Sequence, residues 1–180
     1  MNRSQAVLAA ALLAAAASPA AASPAFDAFR QVCADNHSDF DAVKAALTTG
    51  GWRPAEVKAA TMQGVTVVES VAREEAAGPV KLTVFAWHGT KGPVKISACT
   101  VRVSPMTVGG IVKEAQDWAG FSPQTNTPTQ DVWRFTPAGG ARKALQPGEY
   151  NAAAAAAGLE FFTLSADGAD TILDLLKIKS

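Results

Sequence analysis

Two cysteines, Cys33 and Cys99, restrict the fold of this chain more than any other residues do. Cys33 shares one face of a predicted helix with Phe26 and Phe29, because the three residues are spaced i, i+3 and i+7. Cys99 lies in VKISACTVRV, a β-branched run that predicts a strand. A bridge between the two sulfurs would fix the first helix on one face of a sheet.

The N-terminal segment indicates the compartment in which such a bridge would form. Residues 1–22 start with a short polar stretch that contains Arg3, continue with an apolar run from Ala6 to Ala17, and end in small residues that fit an A-x-A cleavage site. This order predicts a secretory signal peptide, and the apolar run is too short to cross a bilayer. A poly-alanine helix that stays attached is the alternative. We expect residues 23–180 to form a single domain in the periplasm or outside the cell.

The export prediction decides how the cysteines are interpreted. Two cysteines in an oxidising compartment normally pair, and closing the loop between them would contribute about 4 kcal/mol in the chain-entropy model. Two buried thiols or a metal site are the alternatives. Neither histidine completes a zinc motif, and the chain has no C-x-x-C motif that would indicate redox activity. We therefore predict a Cys33–Cys99 disulfide, no metal and no cofactor.

The middle of the chain changes from helical to extended spacing. A second helix begins at Ser38 or Asp39, which can cap it, and ends at Gly50 in a left-handed conformation. Three strands are predicted in VTVVESVAR, VKLTVFAWHG and PVKISACTVRVS, and GTKG joins the last two as a hairpin. Helical spacing returns in TVGGIVKEAQDWAG, which ends at Gly120.

The remaining elements complete an α+β pattern. FSPQTNTPTQ predicts a loop, DVWRFTP predicts a strand, and two more strands flank Asp167-Gly168. Residues 138–158 allow either a short helix that ends at Gly158 or a flexible linker. Because the strands follow one another and the helices are grouped elsewhere, we predict an α+β fold. It would consist of an antiparallel sheet of about five to six strands, covered by N-terminal helices and one central helix.

The first half of the exported part resembles a group of uncharacterised secreted bacterial proteins. The resemblance is carried by the opening helix with Phe29 and Cys33 and by positions after it, namely Asp39, Ala42-Val43, the GGW that ends at Trp52, and the strand cysteine Cys99. The fold of that group resembles the TolA/TonB C-terminal domain, in which helices pack on a small antiparallel sheet. The resemblance implies a periplasmic domain and supplies no catalytic residue or substrate. A shared fold would not transfer the partner binding of TolA and TonB.

Charge and motifs argue against several classes of function. The chain has 16 Lys and Arg and 16 Asp and Glu, and loss of Arg3 on cleavage would leave one excess negative charge. This balance gives no reason to expect nucleic acid or an anionic membrane as a partner, and no later segment is apolar enough to span a membrane. The sequence contains no G-x-S-x-G, H-E-x-x-H, P-loop or G-x-G-x-x-G motif. We assign no catalytic residue.

The two histidines and four tryptophans are the remaining candidates for a site. His37 lies in an interhelical loop, where a capping or exposed role is expected, and His88 is expected to be exposed at a strand end. Tryptophan rings can stack on sugars or anchor a protein partner. Trp87 and Trp133 are expected to be more exposed than the other two, and they are the candidate ligand-binding residues. Packing in the core is the alternative.

These observations predict an exported domain of unknown role. We expect it to bind a protein or an envelope component without catalysis, through a sheet with an exposed edge strand. One alternative is a protein that binds a small apolar ligand between its helices and its sheet. Another is a hydrolase with an unrecognised site, in which His37 or His88 would act as the base. The sequence does not determine the oligomeric state.

Overall fold

A computed structural model describes residues 23–56, 63–106, 108–138 and 141–180. The predicted signal peptide, residues 1–22, lies outside the described residues. Within them are four α-helices, α1 Pro24–Ala28, α2 Phe40–Thr49, α3 Val112–Ala119 and α4 Tyr150–Ala156. Helix α1 continues directly as π-helical turns over Phe29–Ala34, and short 3-10 turns lie at Val108–Gly110 and Pro147–Glu149.

The strands of the described residues form one antiparallel sheet of nine members. They are β1 Arg53–Pro54, β2 Thr66–Ala77, β3 Val80–Lys91, β4 Val94–Ser104, β5 Thr125–Thr127, β6 Gln130–Ala138, β7 Ala141–Ala144, β8 Leu159–Asp167 and β9 Asp170–Lys179. The order across the sheet is β1-β2-β3-β4-β9-β8-β6-β5, and β7 also pairs with β6. The predicted α+β class and the antiparallel meander of β2, β3 and β4 are confirmed.

Side-chain caps and glycines set the helix boundaries. The hydroxyl of Ser23 accepts the N–H of Phe26 at the start of α1, and Asp39 Oδ1 accepts a backbone N–H in the first turn of α2. The predicted end of α2 is wrong in one detail. Gly50 is right-handed and its N–H still bonds to a carbonyl of the helix, so the left-handed residue is Gly51.

The predicted Cys33–Cys99 disulfide is confirmed. Its two Cα atoms are 5.4 Å apart, the sequence separation is 66, and both residues are completely buried. The bridge joins the π-helical turns to β4. Around it, α1, α2 and α3 bury one face of the sheet in a core whose largest members include Phe29, Leu47, Phe135, Phe162 and Leu175. The first helix is therefore held on the sheet in the way the sequence predicted.

The opposite face of the sheet carries two smaller apolar clusters. One contains Phe85, Trp87, Ile96 and Ala98. In the other, Ala154 of α4 packs on Leu145 and Leu159. Helix α4 confirms the short helix that was one of two alternatives for residues 138–158, and it lies on the side of the sheet opposite α1, α2 and α3.

The predicted strand number, about five to six, is too small. The additional strands are β1, β5 and β7, which have two to four residues each. Strand β5 lies in the segment that was predicted to be a loop. A two-residue periodicity cannot be recognised in so few residues, because the pairing partner rather than the local sequence stabilises such a strand. The Glu74–Ala77 segment, predicted to link two strands, belongs to β2, and the turn is confined to Gly78-Pro79.

Candidate functional site

The loop between the π-helical turns and α2 holds His37 in a fixed position. His37 and Ser38 both have φ of 49°, in the left-handed region that residues other than glycine rarely adopt. Ser38 is buried, and its hydroxyl donates a 2.8 Å hydrogen bond to the carbonyl of Leu175 in β9. The amide group of Asn36 donates to two carbonyls of the preceding helical turns. Strained backbone of this kind persists where the surroundings enforce it, and it is common at functional sites.

Strand β8 places a glutamate on the face of the sheet that the helices cover. Glu160, Phe162 and Leu164 alternate along β8 onto that face, and all three are buried. The side chain of Glu160 is only 3% exposed, whereas that of His37 is 54% exposed. Glu160 Oε1 lies 3.4 Å from His37 Nδ1 but has no hydrogen-bond partner among the described residues. Glu160 is therefore a buried carboxyl with one unsatisfied oxygen.

The surroundings of Glu160 disfavour its ionised form. Burial raises the pKa of the Glu160 carboxyl, and attraction to His37, Lys177 and Arg142 opposes this shift only in part. Lys177 is the residue paired with Glu160 on the neighbouring strand β9. The raised pKa means that the positively charged neighbours do not fully replace the lost hydration of the carboxylate.

Arg142 of β7 supplies a fixed positive charge beside this carboxyl. Its guanidinium carbon lies 3.6 Å from the centroid of the Trp118 ring, and Nη1 donates a 2.8 Å hydrogen bond to the Trp118 carbonyl. Burial lowers the pKa of Arg142, and attraction to Glu160 opposes that shift. An arginine stays protonated in spite of such a shift. Trp118 thus determines where the charge of Arg142 lies.

His37, Arg142 and Glu160 line one cavity of about 280 Å³, which we call the Glu160 cleft. The other lining residues are Ala34, Asp35, Pro137 and Ala141. Within the part of the chain that the structure describes, no group of three or more His, Cys, Asp and Glu residues could hold a metal ion. The cleft combines an unpaired acceptor, a fixed cation and an imidazole. Such a set can bind a small polar molecule or move a proton.

The predicted ligand-binding residues, Trp87 and Trp133, do not line the Glu160 cleft. They are 4% and 0% exposed, so the expectation that they would be more exposed than the other tryptophans is wrong. The indole N–H of Trp133 donates to the carbonyl of Phe121 at 2.9 Å, and its ring packs on Phe162. Trp87 packs in the cluster with Phe85 and Ile96. Burial of the large apolar surface of each ring stabilises the fold, which explains why neither ring is exposed. Ligand binding by these residues stays a prediction.

The two histidines differ in their surroundings. His37 is half-exposed, as expected for a loop residue, but it also contacts the carboxyl of Glu160. His88 is partly buried rather than exposed, because β3 extends beyond it to Lys91 and α2 covers it. The rings of His88 and Phe40 have centroids 4.7 Å apart. The structure therefore separates the histidines into two different sites.

Sequence reasoning did not identify Glu160 or Arg142. The sequence does contain an indication of Glu160. In LEFFTL it alternates with Phe162 and Leu164, so a charged residue lies on the same face of the strand as two buried apolar ones. Arg142 had no comparable signal. It lies in β7, which is too short to be recognised, and its position depends on a contact with Trp118, more than twenty residues earlier in the chain.

Comparisons of the chain with models of protein families, with curated proteins and with solved structures give no match. The resemblance to secreted proteins with a TolA/TonB-like fold therefore stays a prediction. Within the described ranges, no helix has both the length and the apolar character that crossing a membrane requires.

Proposed function

We propose that this protein is an exported binding domain, and that the Glu160 cleft holds a small polar ligand or the end group of an envelope component. One observation carries the proposal. Glu160 Oε1 is a buried carboxylate oxygen that has no hydrogen-bond partner among the described residues, and Glu160 lines a cavity. Buried polar atoms in folded proteins are nearly always hydrogen-bonded. An N–H or O–H group of a ligand would supply the partner for this oxygen.

The other side chains of the cleft favour a ligand that also carries an acidic group. Arg142 has five N–H donors, and among the described residues only one of them has a hydrogen-bond acceptor, the carbonyl of Trp118. His37 adds a second nitrogen donor when it is protonated. The chemistry of the cleft therefore suits a zwitterion, with an ammonium group at Glu160 and a carboxylate at Arg142. The volume of about 280 Å³ restricts the bound part to a small group such as an amino acid.

The disulfide supports the exported location. Stable disulfides form in the periplasm and outside the cell, and they are rare in reducing compartments. The Cys33–Cys99 bridge lies four residues before His37 and therefore also fixes the loop that forms one wall of the cleft. An oxidising compartment would keep this wall in place.

A calorimetric titration tests the proposed function. The ligands are a series of free amino acids, with methylammonium and acetate as single-group controls. We expect at least one amino acid to bind more tightly than either control, and Glu160→Gln to weaken that binding about tenfold, the loss expected for one hydrogen bond to a charged group. Glu149→Gln removes an exposed carboxylate outside the cleft and is the matched control.

Two results would contradict the proposed function. In the first, no zwitterion binds more tightly than methylammonium or acetate. In the second, Glu160→Gln and Glu149→Gln bind the same ligand with the affinity of the wild-type protein. The second result would show that binding occurs elsewhere on the molecule.

A hydrolase is the second candidate, and it is favoured by the environment of Glu160. A buried carboxyl with a raised pKa, 3.4 Å from an imidazole, is an arrangement that can activate a water molecule as a general base. Of the described residues that line the cleft, none has a hydroxyl, thiol or amine side chain that could act as the nucleophile. Panels of esters, peptides and glycosides test this candidate. An activity that survives both His37→Ala and Glu160→Gln would exclude the cleft as its site.

A further inference from the structure

A second cavity lies on the face of the sheet that α1, α2 and α3 cover, next to the first residues of α2. Its volume is about 480 Å³. Part of its lining comes from neighbouring positions of β3, β4 and β9. We call it the lysine cleft and define it by His88, Thr90, Lys95, Ser97, Lys177 and Lys179.

The register of the strands brings three lysines of this cleft together. Lys95 of β4 is directly opposite Lys179 of β9, and Ser97 is directly opposite Lys177. Residues at alternate positions of a strand share a face. The side chains of the three lysines and of Ser97 therefore leave the sheet on the same side as Cys99. His88 and Thr90 extend the same patch onto β3, because they pair with Ser97 and Lys95.

The lysine cleft lacks the carboxylate partners that other lysines of the protein have. An ion pair requires a nitrogen–oxygen distance of 4.0 Å or less. Among the described residues, no carboxylate oxygen lies this close to the ammonium nitrogen of Lys95, Lys177 or Lys179. By contrast, four lysines outside the cleft form such pairs, namely Lys44, Lys81, Lys113 and Lys143, and one other described lysine, Lys91, does not. Like charges that face each other across two strands destabilise a sheet by up to about 1 kcal/mol. Lys95 and Lys179 face each other in this way, and their repulsion disfavours folding, as is common where side chains serve a ligand.

The other walls of the cavity define the shape of its ligand. Asp39 and Asp41 lie at the start of α2, and one oxygen of Asp39 accepts a backbone N–H of that helix. The carboxylates therefore form the helix side and the lysines the sheet side of the cavity. The exposed side chain of Val68 adds an apolar surface, and the largely buried Phe40, whose ring contacts that of His88, adds a small apolar part of the lining.

We propose that the lysine cleft binds a phosphate monoester group. Several ammonium donors on one side of a cavity, with the hydroxyls of Ser97 and Thr90 beside them, suit the oxygens and the double charge of that group. The substituent on the phosphate would lie on the apolar surface of Val68. The lining residues of the two clefts differ, but Lys177 of the lysine cleft also attracts the carboxylate of Glu160.

The phosphate monoester group has two sources in the cell envelope, soluble metabolites and lipid headgroups. Glycerol 3-phosphate represents the first source and is titrated by calorimetry, with glycerol as the uncharged control. Phosphatidylcholine vesicles with and without phosphatidic acid represent the second source and are tested by co-sedimentation. Both probes are applied to the purified protein with its disulfide intact.

Two triple variants separate the lysine cleft from general charge attraction. Lys95→Gln/Lys177→Gln/Lys179→Gln removes the three cations of the cleft, and Lys81→Gln/Lys113→Gln/Lys143→Gln removes three cations outside it. Both variants change the net charge by the same amount. We expect the cleft variant to lose affinity about tenfold or more, since hydrogen bonds to a charged group are lost, and the control variant to keep it.

Each outcome decides the proposal. Glycerol 3-phosphate binding that only the cleft variant loses supports a soluble ligand, and vesicle binding with the same pattern supports a lipid headgroup. Absence of binding to both probes overturns the proposal, and so does an equal loss in the two variants. Thermal unfolding checks that both triple variants fold. The amino acid titration of the Glu160 cleft uses the wild-type protein, Glu160→Gln and Glu149→Gln, so it is decided separately from these results.

Discussion

Replacing Glu160 by glutamine is expected to stabilise the protein at neutral pH. The substitution keeps the size of the side chain and removes the charge that burial disfavours. Glutamine also leaves a buried polar atom unpaired, so the gain comes only from the removed charge. An unpaired buried group costs about 1–3 kcal/mol and more when it is charged, and attraction to His37, Lys177 and Arg142 recovers part of that excess. We therefore expect the free energy of unfolding to rise by about 1 kcal/mol. For a chain of this size the melting temperature would rise by roughly 2–4 °C.

The gain should depend on pH in a defined direction. The pKa of Glu160 is raised in the folded state, so the folded protein binds the proton more tightly than the unfolded chain does. The cost of the ionised carboxyl is fully present above this raised pKa. It disappears as the pH falls through the raised pKa to the ordinary pKa of a glutamate. The stability difference between Glu160→Gln and the wild-type protein should shrink over that window.

Urea unfolding of both proteins at a series of pH values measures this difference. Glu149→Gln is the control with the opposite sign. The backbone N–H of Gln146, together with Lys143, lowers the pKa of the Glu149 carboxyl. Its stabilising effect is therefore present above the ordinary pKa of a glutamate and is lost as the pH falls through the lowered one. A Glu160→Gln protein that is less stable than wild type at neutral pH, or a difference that does not change with pH, would refute the reasoning.

Three further substitutions test the fold, each by urea unfolding. Cys33→Ser/Cys99→Ser should lower the free energy of unfolding by about 2–5 kcal/mol, because the bridge joins the first helical segment to the sheet; an unchanged midpoint would contradict this. Ser38→Ala should cost about 1–3 kcal/mol, because a buried carbonyl of β9 loses its donor; a neutral result would show that the hydroxyl does not hold the loop. Gly89→Ala should cost about 1–3 kcal/mol, because the added Cβ would lie 2.4 Å from a backbone oxygen of β2. Gly109→Ala, where the Cβ meets no atom within 4 Å, is its control, and equal effects of the two would contradict the steric explanation.

Much of the fold can be predicted because its long elements have clear periods. The stripe of Phe26, Phe29 and Cys33 predicts the first helical segment, and the β-branched run around Cys99 predicts β4. The redox argument then places one against the other, as the disulfide confirms. The short strands β1, β5 and β7 cannot be predicted in this way, since pairing with a long neighbour stabilises them.

The candidate site is harder to predict because its residues come together only in three dimensions. His37 lies on a loop, Arg142 on a short strand and Glu160 on β8, and no motif joins them. For the tryptophans, the sequence led to the opposite error, since it suggested a binding site at residues that pack in the interior. Their chemistry suggested binding, but Trp87 and Trp133 occupy faces of the sheet that neighbouring apolar side chains cover. Burial depends on these neighbours, and the local sequence does not contain them.

Nuclear magnetic resonance of the Glu160 side-chain carboxyl carbon tests the proposed function most directly. A pH titration of the free protein should give a pKa for Glu160 above that of an exposed glutamate, because attraction to its positively charged neighbours offsets the effect of burial only in part. Saturation with a zwitterion that binds in the Glu160 cleft should lower this pKa, since an ammonium group stabilises the ionised form. A Glu160 that titrates at or below the ordinary value, and whose pKa no zwitterion changes, would contradict the assignment of this cleft as the binding site.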